Sequence, residues 1–238
     1  MKRILLMVCR NIFIVPWLYL KLCWYASHTN SIPVEKKMAL LKTIVGYANR
    51  GGNVEIKAYG VENIPSEGSF MFFPNHQGLY DVLAMIETSP IFFSVVVKKE
   101  LMKIGFLRTV FKIMGAYAID REDIRQSMTV IQSMTEDVKN GRNFLIFAEG
   151  TRSRQGNKLL DFKGGSFKSA TKAKCPIVPC ALIDSFKPFD ENSIKPVTVK
   201  LFYLPPMYYE EYKDMKTVEI AAEVKRRIEQ VHMEEGCE

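Results

Sequence analysis

The chain has 238 residues, of which 47% are hydrophobic and 25% are charged, a composition that excludes a disordered or collagen-like protein. Single α/β domains reach about 200–250 residues, so the length alone requires no second folding unit. The net charge is +7, and residues 1–57 hold 9 basic and 2 acidic residues.

The first predicted element is an apolar stretch over residues 4–27, in which Arg10 and Lys21 are the charged residues and Pro16 lies in the middle. A membrane span needs about 20 uninterrupted apolar residues, and no clean signal-peptide cleavage site follows this stretch. In one continuous helix, Arg10 and Lys21 would share a face. We predict an interfacial or partly inserted anchor, with a buried helix of the soluble domain as the alternative.

A basic amphipathic helix is predicted next, over residues 34–49, between a start signal at Ser31–Pro33 and a stop at Gly51–Gly52. Two basic helices in series suit attachment to an anionic lipid surface. The sequence therefore predicts an N-terminal two-helix membrane-associating segment over residues 1–52, followed by a globular region over residues 53–238.

From residue 54 onward, short β-rich runs alternate with helical patterns, which is typical of an α/β fold. Seven strands are predicted, over residues 54–59, 69–73, 92–97, 116–119, 144–147, 177–182 and 197–201. Helices are predicted between and after them, over residues 81–87, 99–114, 122–140, 165–173 and 214–232. We expect a mixed sheet of about seven strands flanked by helices, with the chemistry on the long loop at 148–165.

The five cysteines are widely spaced and lack the pairing with Cys or His that metal sites show. Their number is odd, which favours a reduced compartment over a disulfide framework. The sequence therefore predicts no metal site.

The first candidate catalytic group follows the apolar strand at 69–73, where His76 and Asp81 stand five positions apart. A turn at Gly78 would bring the carboxylate back to one imidazole nitrogen. It would then fix the tautomer and stabilise the imidazolium that forms when the ring accepts a proton. This spacing also occurs by chance, and a histidine that caps a turn is the alternative.

Two further strand ends carry an arginine just past the strand, Arg121 and Arg152. The planar guanidinium suits two-pronged contact with a phosphate, Gly150 allows close backbone approach, and Thr151 adds a hydroxyl donor. Residues 148–174 hold 7 basic and 2 acidic residues. We infer an anionic ligand, and the alternative is a solvated basic loop whose glutamate pairs with an arginine.

In this order and spacing, the segments NHQGLYD, GAYAIDR, FAEGTRS and PIVP resemble the four motif blocks of the glycerolipid acyltransferase family, in particular the bacterial 1-acyl-sn-glycerol-3-phosphate acyltransferases. The resemblance implies that residues 53–238 form a glycerolipid acyltransferase-like domain, with His76 as base and Asp81 as its orienting partner. It implies an acceptor-phosphate site made of Arg121, Glu149, Gly150, Thr151 and Arg152, supported by Asn75 and Lys163. We expect Glu149 to orient the arginines or a glycerol hydroxyl.

The resemblance also implies the reaction, in which an acyl thioester, either acyl-CoA or acyl carrier protein, acylates the sn-2 hydroxyl of lysophosphatidic acid to give phosphatidic acid. We expect direct transfer without a cofactor, since no serine or cysteine stands beside His76 as a nucleophile. The enzyme would work at the cytoplasmic face of the cell membrane, on an anionic surface.

Within the acyltransferase class, glycerol-3-phosphate or another lysophospholipid is the alternative acceptor. Two other classes of protein leave parts of the sequence unexplained. A non-catalytic basic module for lipid headgroups or RNA gives no reason for the His-Asp pair, and the chain lacks an RNA-stacking aromatic signature, so we expect no nucleic-acid partner. A phosphatase or phosphotransferase would need a P-loop or a carboxylate cluster for metal.

Three positions depart from the family pattern. Gly78 stands where serine is frequent, Ala148 where proline is usual, and Cys180 where an aliphatic residue is common. None of these changes removes a charged or proton-transferring group. They bear on the shape of the acceptor pocket rather than on the class of reaction.

Overall fold

One twisted sheet is the scaffold of the chain in the computed structural model, which describes residues 2–120 and 122–237. Its strands are β1 (Val54–Tyr59), β2 (Met71–Pro74), β3 (Ser94–Lys98), β4 (Tyr117–Ile119), β5 (Phe144–Leu145), β6 (Ile177–Ile183) and β7 (Val197–Tyr203). The spatial order is β1-β7-β6-β2-β5-β3-β4. β6 and β7 pair antiparallel and the other neighbours pair parallel, which confirms the expected mixed sheet of seven strands.

The helices flank this sheet on both faces. They are α1 (Lys2–Arg10), α2 (Val15–Ser27), α3 (Val34–Gly52), α4 (Asp81–Thr88), α5 (Gly105–Met114), α6 (Ile124–Lys139), α7 (Lys168–Ala173), α8 (Lys187–Asp190), α9 (Tyr209–Tyr212) and α10 (Thr217–Glu234). The helix predicted over 99–114 begins instead with a 3₁₀ turn at Lys99–Lys103. The short helices α8 and α9 were not predicted, because four residues give too little periodicity to recognise.

The central strands are apolar on both sides because both faces of the sheet are covered. Every residue of β2 and of β6 is buried. Alternate side chains enter opposite cores: Phe72 and Leu182 belong to the larger core, while Phe73 and Ala181 belong to the core on the other face. The continuous apolar runs in the sequence thus reflect central strands of a largely parallel sheet.

The apolar N-terminal stretch forms two helices rather than one. α1 and α2 meet at an angle of 96°, and Pro16 in the first turn of α2 has no N–H to continue a helix. Arg10 donates to the Gly51 carbonyl at 3.2 Å and to Asn53 Oδ1 at 2.6 Å. The expectation that Arg10 and Lys21 share a face is therefore wrong, because the bend separates them and Arg10 contacts the end of α3.

These helices also contribute to the folded core. Arg3 is 1% exposed, and its guanidinium donates to the carbonyls of Gly52 at 2.6 Å and Lys195 at 2.9 Å. Met7 and Leu22 belong to the larger core. The predicted boundary between residues 1–52 and 53–238 stays a prediction, since packing does not test whether the second region folds alone.

Candidate active site

Three parallel neighbours at the centre of the sheet, β6, β2 and β5, end at the same edge. The carboxyl ends of parallel strands are the usual place for ligand contacts in open α/β sheets. The loop after β2 carries His76, the loop after β5 carries Glu149 and Arg152, and the segment after β6 carries Ser185. Residues far apart in the sequence therefore meet at one place.

His76 and Asp81 form the pair that the sequence predicted. The imidazole Nδ1 lies 2.7 Å from Asp81 Oδ2, with Asp81 fully buried at the start of α4 and the His76 side chain 17% exposed. The backbone N–H of Gln77 donates to Asp81 Oδ2 at 2.7 Å, and that of Gly78 lies 3.0 Å from both carboxylate oxygens. Donors on all sides keep the carboxylate fixed, so the imidazole presents Nε2 as its proton acceptor.

The loop after β5 holds His76 from two directions. The imidazole stacks on Phe147, with ring centroids 3.8 Å apart and planes at 16°. The His76 carbonyl accepts the backbone N–H of Ser153 at 2.9 Å. Ring and backbone are thus restrained by the same loop that carries the predicted phosphate-binding residues.

Glu149 is a buried link between loops and has no arginine partner among the described residues. It is 2% exposed, and its oxygens accept the backbone N–H groups of His76 at 2.7 Å and Leu160 at 3.1 Å. Burial raises the pKa of the Glu149 carboxyl to about 7, although these donors lower it. No arginine among the described residues contacts Glu149, so the expectation that it orients Arg152 is wrong, whereas an orienting role toward Arg121 or a glycerol hydroxyl stays a prediction.

Arg152 lies beside Asp190 of α8, with Nη1 3.9 Å from Oδ1, and its side chain is 26% exposed. Gly150 has φ +72°, and a side chain there would meet Lys163, whose Nζ lies 3.1 Å from the position of a Cβ. Thr151, which stands between Gly150 and Arg152 in the sequence, is exposed. The structure thus brings Arg152, Gly150 and Lys163 to one loop, close to His76.

Two other predicted residues have different settings. Arg121 lies outside the described residues, so its place in the phosphate site stays a prediction. Asn75 is buried, and its amide joins the ends of β2 and β6 by accepting the Leu182 N–H at 2.7 Å and donating to the Leu182 carbonyl at 2.9 Å. This contact holds two site-bearing strands together, and the role of Asn75 in supporting the phosphate site stays a prediction.

Ser185, Gln77 and Asn157 were missed by the sequence reasoning. Ser185 Oγ donates to Asp81, and the Ser185 N–H donates to Gln77 Oε1 at 2.9 Å. Gln77 Nε2 donates in turn to Asn157 Oδ1 at 2.8 Å. The available signal was the polar Asp184–Ser185 pair directly after an apolar strand, the same feature that pointed to His76 after β2.

The acyltransferase family matches the chain over residues 55–183, a span that includes the His-Asp pair and the Arg152 loop. The 1-acyl-sn-glycerol-3-phosphate acyltransferase of Borreliella burgdorferi is 33% identical over 59% of this chain, and the alignment spans 56% of that relative. The enzyme of the same name from Helicobacter pylori is 30% identical over 64% of this chain and 70% of its own length. The Escherichia coli enzyme of this name is 30% identical over 69% of this chain and 67% of its own length.

A solved structure has the same fold. The crystal structure of the 1-acyl-sn-glycerophosphate (LPA) acyltransferase PlsC from Thermotoga maritima superposes with a TM-score of 0.76 over 96% of each chain, at 22% sequence identity. The family resemblance drawn from the four motif blocks is confirmed, and so is the fold that it implied.

Proposed function

The chain belongs to the acyltransferase family, and from this membership we propose that it transfers a fatty acyl group from a thioester to the sn-2 hydroxyl of 1-acyl-glycerol-3-phosphate, giving phosphatidic acid. The observation that carries the proposal is the His76–Asp81 pair at 2.7 Å, inside the matched region and at the carboxyl end of the sheet. The names of the relatives supply the acceptor.

In the proposed reaction, His76 Nε2 takes the proton of the acceptor hydroxyl as that oxygen attacks the thioester carbonyl carbon. The tetrahedral intermediate collapses, the carbon–sulfur bond breaks, and the imidazolium returns the proton to the departing thiolate. Asp81 stabilises the imidazolium through Nδ1, and Phe147 keeps the ring plane in place. No acyl-enzyme intermediate is required.

The acceptor phosphate is proposed to bind at the loop of Arg152, with Lys163 beside Gly150 as a second cation. The Arg152–Asp190 contact is 3.9 Å long and partly exposed, which is typical of a weak ion pair that an anion displaces at little cost. Arg121 is proposed to join this site on the motif resemblance alone. Both acyl-CoA and acyl carrier protein stay candidate donors, because the residues proposed to bind the acceptor phosphate do not distinguish between them.

The N-terminal helices are proposed to lie in the cytoplasmic face of the cell membrane, where acceptor and product reside. In the described part of the chain, no single helix meets the length and hydropathy of a span, although the bent pair α1–α2 meets them jointly. Several apolar side chains of these helices and of the turn between them face outward, with Phe13 in the turn 98% and Leu20 on α2 69% exposed. Trp17 and Trp24, also exposed, suit the interfacial region.

Vesicle flotation tests the membrane proposal. Replacing Phe13 and Leu20 together by serine is expected to weaken binding to anionic vesicles at least about tenfold, since each loses roughly 1.5–3 kcal/mol of apolar transfer. Val218→Ser on α10, a site that is 70% exposed, is the matched control. Equal flotation of all three proteins would refute an interfacial role for the α1–α2 pair.

An acceptor panel tests the reaction. The full chain is assayed with acyl-CoA and with acyl carrier protein against lysophosphatidic acid, glycerol-3-phosphate, a choline lysophospholipid and monoacylglycerol, with the product identified by mass spectrometry. We expect turnover of lysophosphatidic acid and its loss in His76→Ala, while His28→Ala, at an exposed histidine, keeps activity in detergent. Turnover of another acceptor instead of lysophosphatidic acid would correct the proposed substrate. Turnover by His76→Ala would refute the assignment of His76 as the base.

A further inference from the structure

The segment Asp184–Asp190, which follows β6, packs against both loops of the active site. The Phe186 backbone lies so close to Gly78 that a Cβ there would stand 3.1 Å from Phe186 Cα. The Phe189 ring meets Tyr80 edge-on, at 5.3 Å and 83°. A serine at position 78 would push this backbone away by a few tenths of an ångström, so the glycine that departs from the family pattern favours the close contact.

The contact brings one hydroxyl to the catalytic carboxylate. Ser185 is fully buried, and its Oγ donates to Asp81 Oδ1 while its N–H donates to Gln77 Oε1 at 2.9 Å. Asp81 Oδ2 is occupied by His76 Nδ1 and by the Gln77 N–H. Ser185 is therefore the side-chain donor to the oxygen that faces away from the imidazole.

The turn that places Ser185 contains a strained residue held by hydrogen bonds. Asp184 has φ +62°, a left-handed conformation that is unfavourable for a residue with a Cβ. It is held there by Asn157, whose Oδ1 accepts the Asp184 N–H at 2.8 Å and whose Nδ2 donates to Asp184 Oδ1 at 3.0 Å. The same Asn157 oxygen accepts from Gln77, which closes a ring of hydrogen bonds around the turn.

We propose that Ser185 is a positioning residue of the acyl transfer: its hydroxyl holds the Asp81 carboxylate in the orientation that directs Oδ2 at His76 Nδ1. This rests on the proposed function for its kinetic consequences and on the geometry alone for its structural ones. Without the hydroxyl, a fully buried carboxylate loses the donor to Oδ1 and rotates away from His76 Nδ1 toward the Gly78 N–H, which lies 3.0 Å from both oxygens. The imidazole then samples tautomers and orientations that do not accept the proton.

The test is a double-mutant cycle of Ser185→Ala and Asp81→Asn. Ser185→Ala is expected to lower kcat about 10- to 100-fold, the range for loss of a hydrogen bond to a charged group, with both KM values within about twofold. In the Asp81→Asn background, the same change is expected to cost less than about twofold, because Ser185 acts through Asp81. Ser169→Ala, at another buried serine, donating to Ile131 on α6, is the matched control.

Two readouts separate positioning from simple loss of stability. A carboxylate that has turned from the ring stabilises the imidazolium less, so the acid limb of the pH–rate profile is expected to move to lower pH in Ser185→Ala. The ¹⁵N shifts of the His76 ring are expected to show a mixed tautomer there and a single Nδ1–H tautomer in the wild type.

Three outcomes would overturn the proposal: kcat unchanged in Ser185→Ala, an equal cost in the wild-type and Asp81→Asn backgrounds, or a comparable loss in Ser169→Ala. If the wild-type chain acylates no acceptor, the proposed function fails separately. The ring ¹⁵N spectra then still decide the role of Ser185, since they require no turnover.

Discussion

Asp81→Asn tests the His76–Asp81 pair directly, because both carboxylate oxygens of Asp81 accept hydrogen bonds. His76 Nδ1 and the Gln77 N–H approach Oδ2 at 2.7 Å, and Ser185 Oγ donates to Oδ1. An asparagine offers one oxygen and one NH₂ group, so at least one of these donors must face another donor. The substitution keeps the shape of the side chain and changes only its charge and hydrogen-bonding pattern.

The size of the effect follows from where the NH₂ group goes. Facing His76, it requires Nδ1 to accept, which places the ring hydrogen on Nε2 and removes the base from the reacting hydroxyl. A catalytic histidine held in the wrong tautomer loses about 10⁴-fold in kcat, or roughly 5 kcal/mol of barrier. In that orientation the NH₂ group also faces the Gln77 N–H, and in the opposite orientation it faces Ser185. A buried donor left without an acceptor costs about 1–3 kcal/mol in stability.

Initial rates with lysophosphatidic acid and an acyl thioester measure the outcome in detergent, at saturating acceptor. Asp137→Asn is the control, since that α6 carboxylate accepts the Tyr117 hydroxyl at 2.9 Å and pairs with Arg142 outside the site. We expect Asp81→Asn to fall at least about 10³-fold while the control stays within about twofold. A kcat for Asp81→Asn above about one tenth of wild type would refute the tautomer argument.

Three further predictions concern the phosphate site and two buried titratable groups. Arg152→Ala is expected to raise the apparent KM for the phosphorylated acceptor about 10- to 100-fold and that for the donor less than about twofold, with partial rescue by Arg152→Lys; equal effects on both substrates would contradict a phosphate role. The pKa of the Glu149 carboxyl is raised to about 7 in the folded protein, so as pH rises the unfolded chain loses this proton before the folded chain does. The free energy of unfolding is therefore expected to fall between about pH 4.5 and 7. Glu149→Gln is expected to remove this decline, at most about 1.4 kcal/mol per pH unit, from melting curves between pH 5 and 8; an unchanged slope would count against it. Burial lowers the pKa of His232, partly offset by the nearby backbone of Asn157 and Leu182 and by Glu229, so stability is expected to fall as pH drops below about 6.5. His232→Leu should flatten that acid side of the curve, and a variant as acid-sensitive as the wild type would refute this assignment.

Local signals in the chain were enough for the order of the seven strands and for the place of the candidate catalytic pair. β2 and β6 read as strands because both faces of a central parallel strand are buried, which leaves an uninterrupted apolar run in the sequence. The His76–Asp81 pair was predictable because five residues across one turn bring the two groups together locally. A family resemblance added the proposed substrate, which no single residue spacing specifies.

Contacts between distant segments were beyond that reasoning. Glu149 is adjacent in sequence to arginine-bearing residues, but folding buries it against the backbone of His76 and Leu160, so its neighbours in the chain were a poor guide to its partners. Residues 4–27 were predicted as one apolar anchor segment, because hydropathy does not report a bend or the packing of Arg10 on the end of α3.

What the sequence alone determined is therefore the set of candidate groups for the proposed chemistry, since residue type and short spacing single out a histidine, its carboxylate and an arginine on a basic loop. Only the tertiary structure decided which groups hold them. Ser185 lies 104 residues from Asp81 along the chain, and the two meet because β6 and β2 are parallel neighbours that end at the same edge. Strand order is set by the packing of whole cores on both faces of the sheet, a property that no local pattern contains.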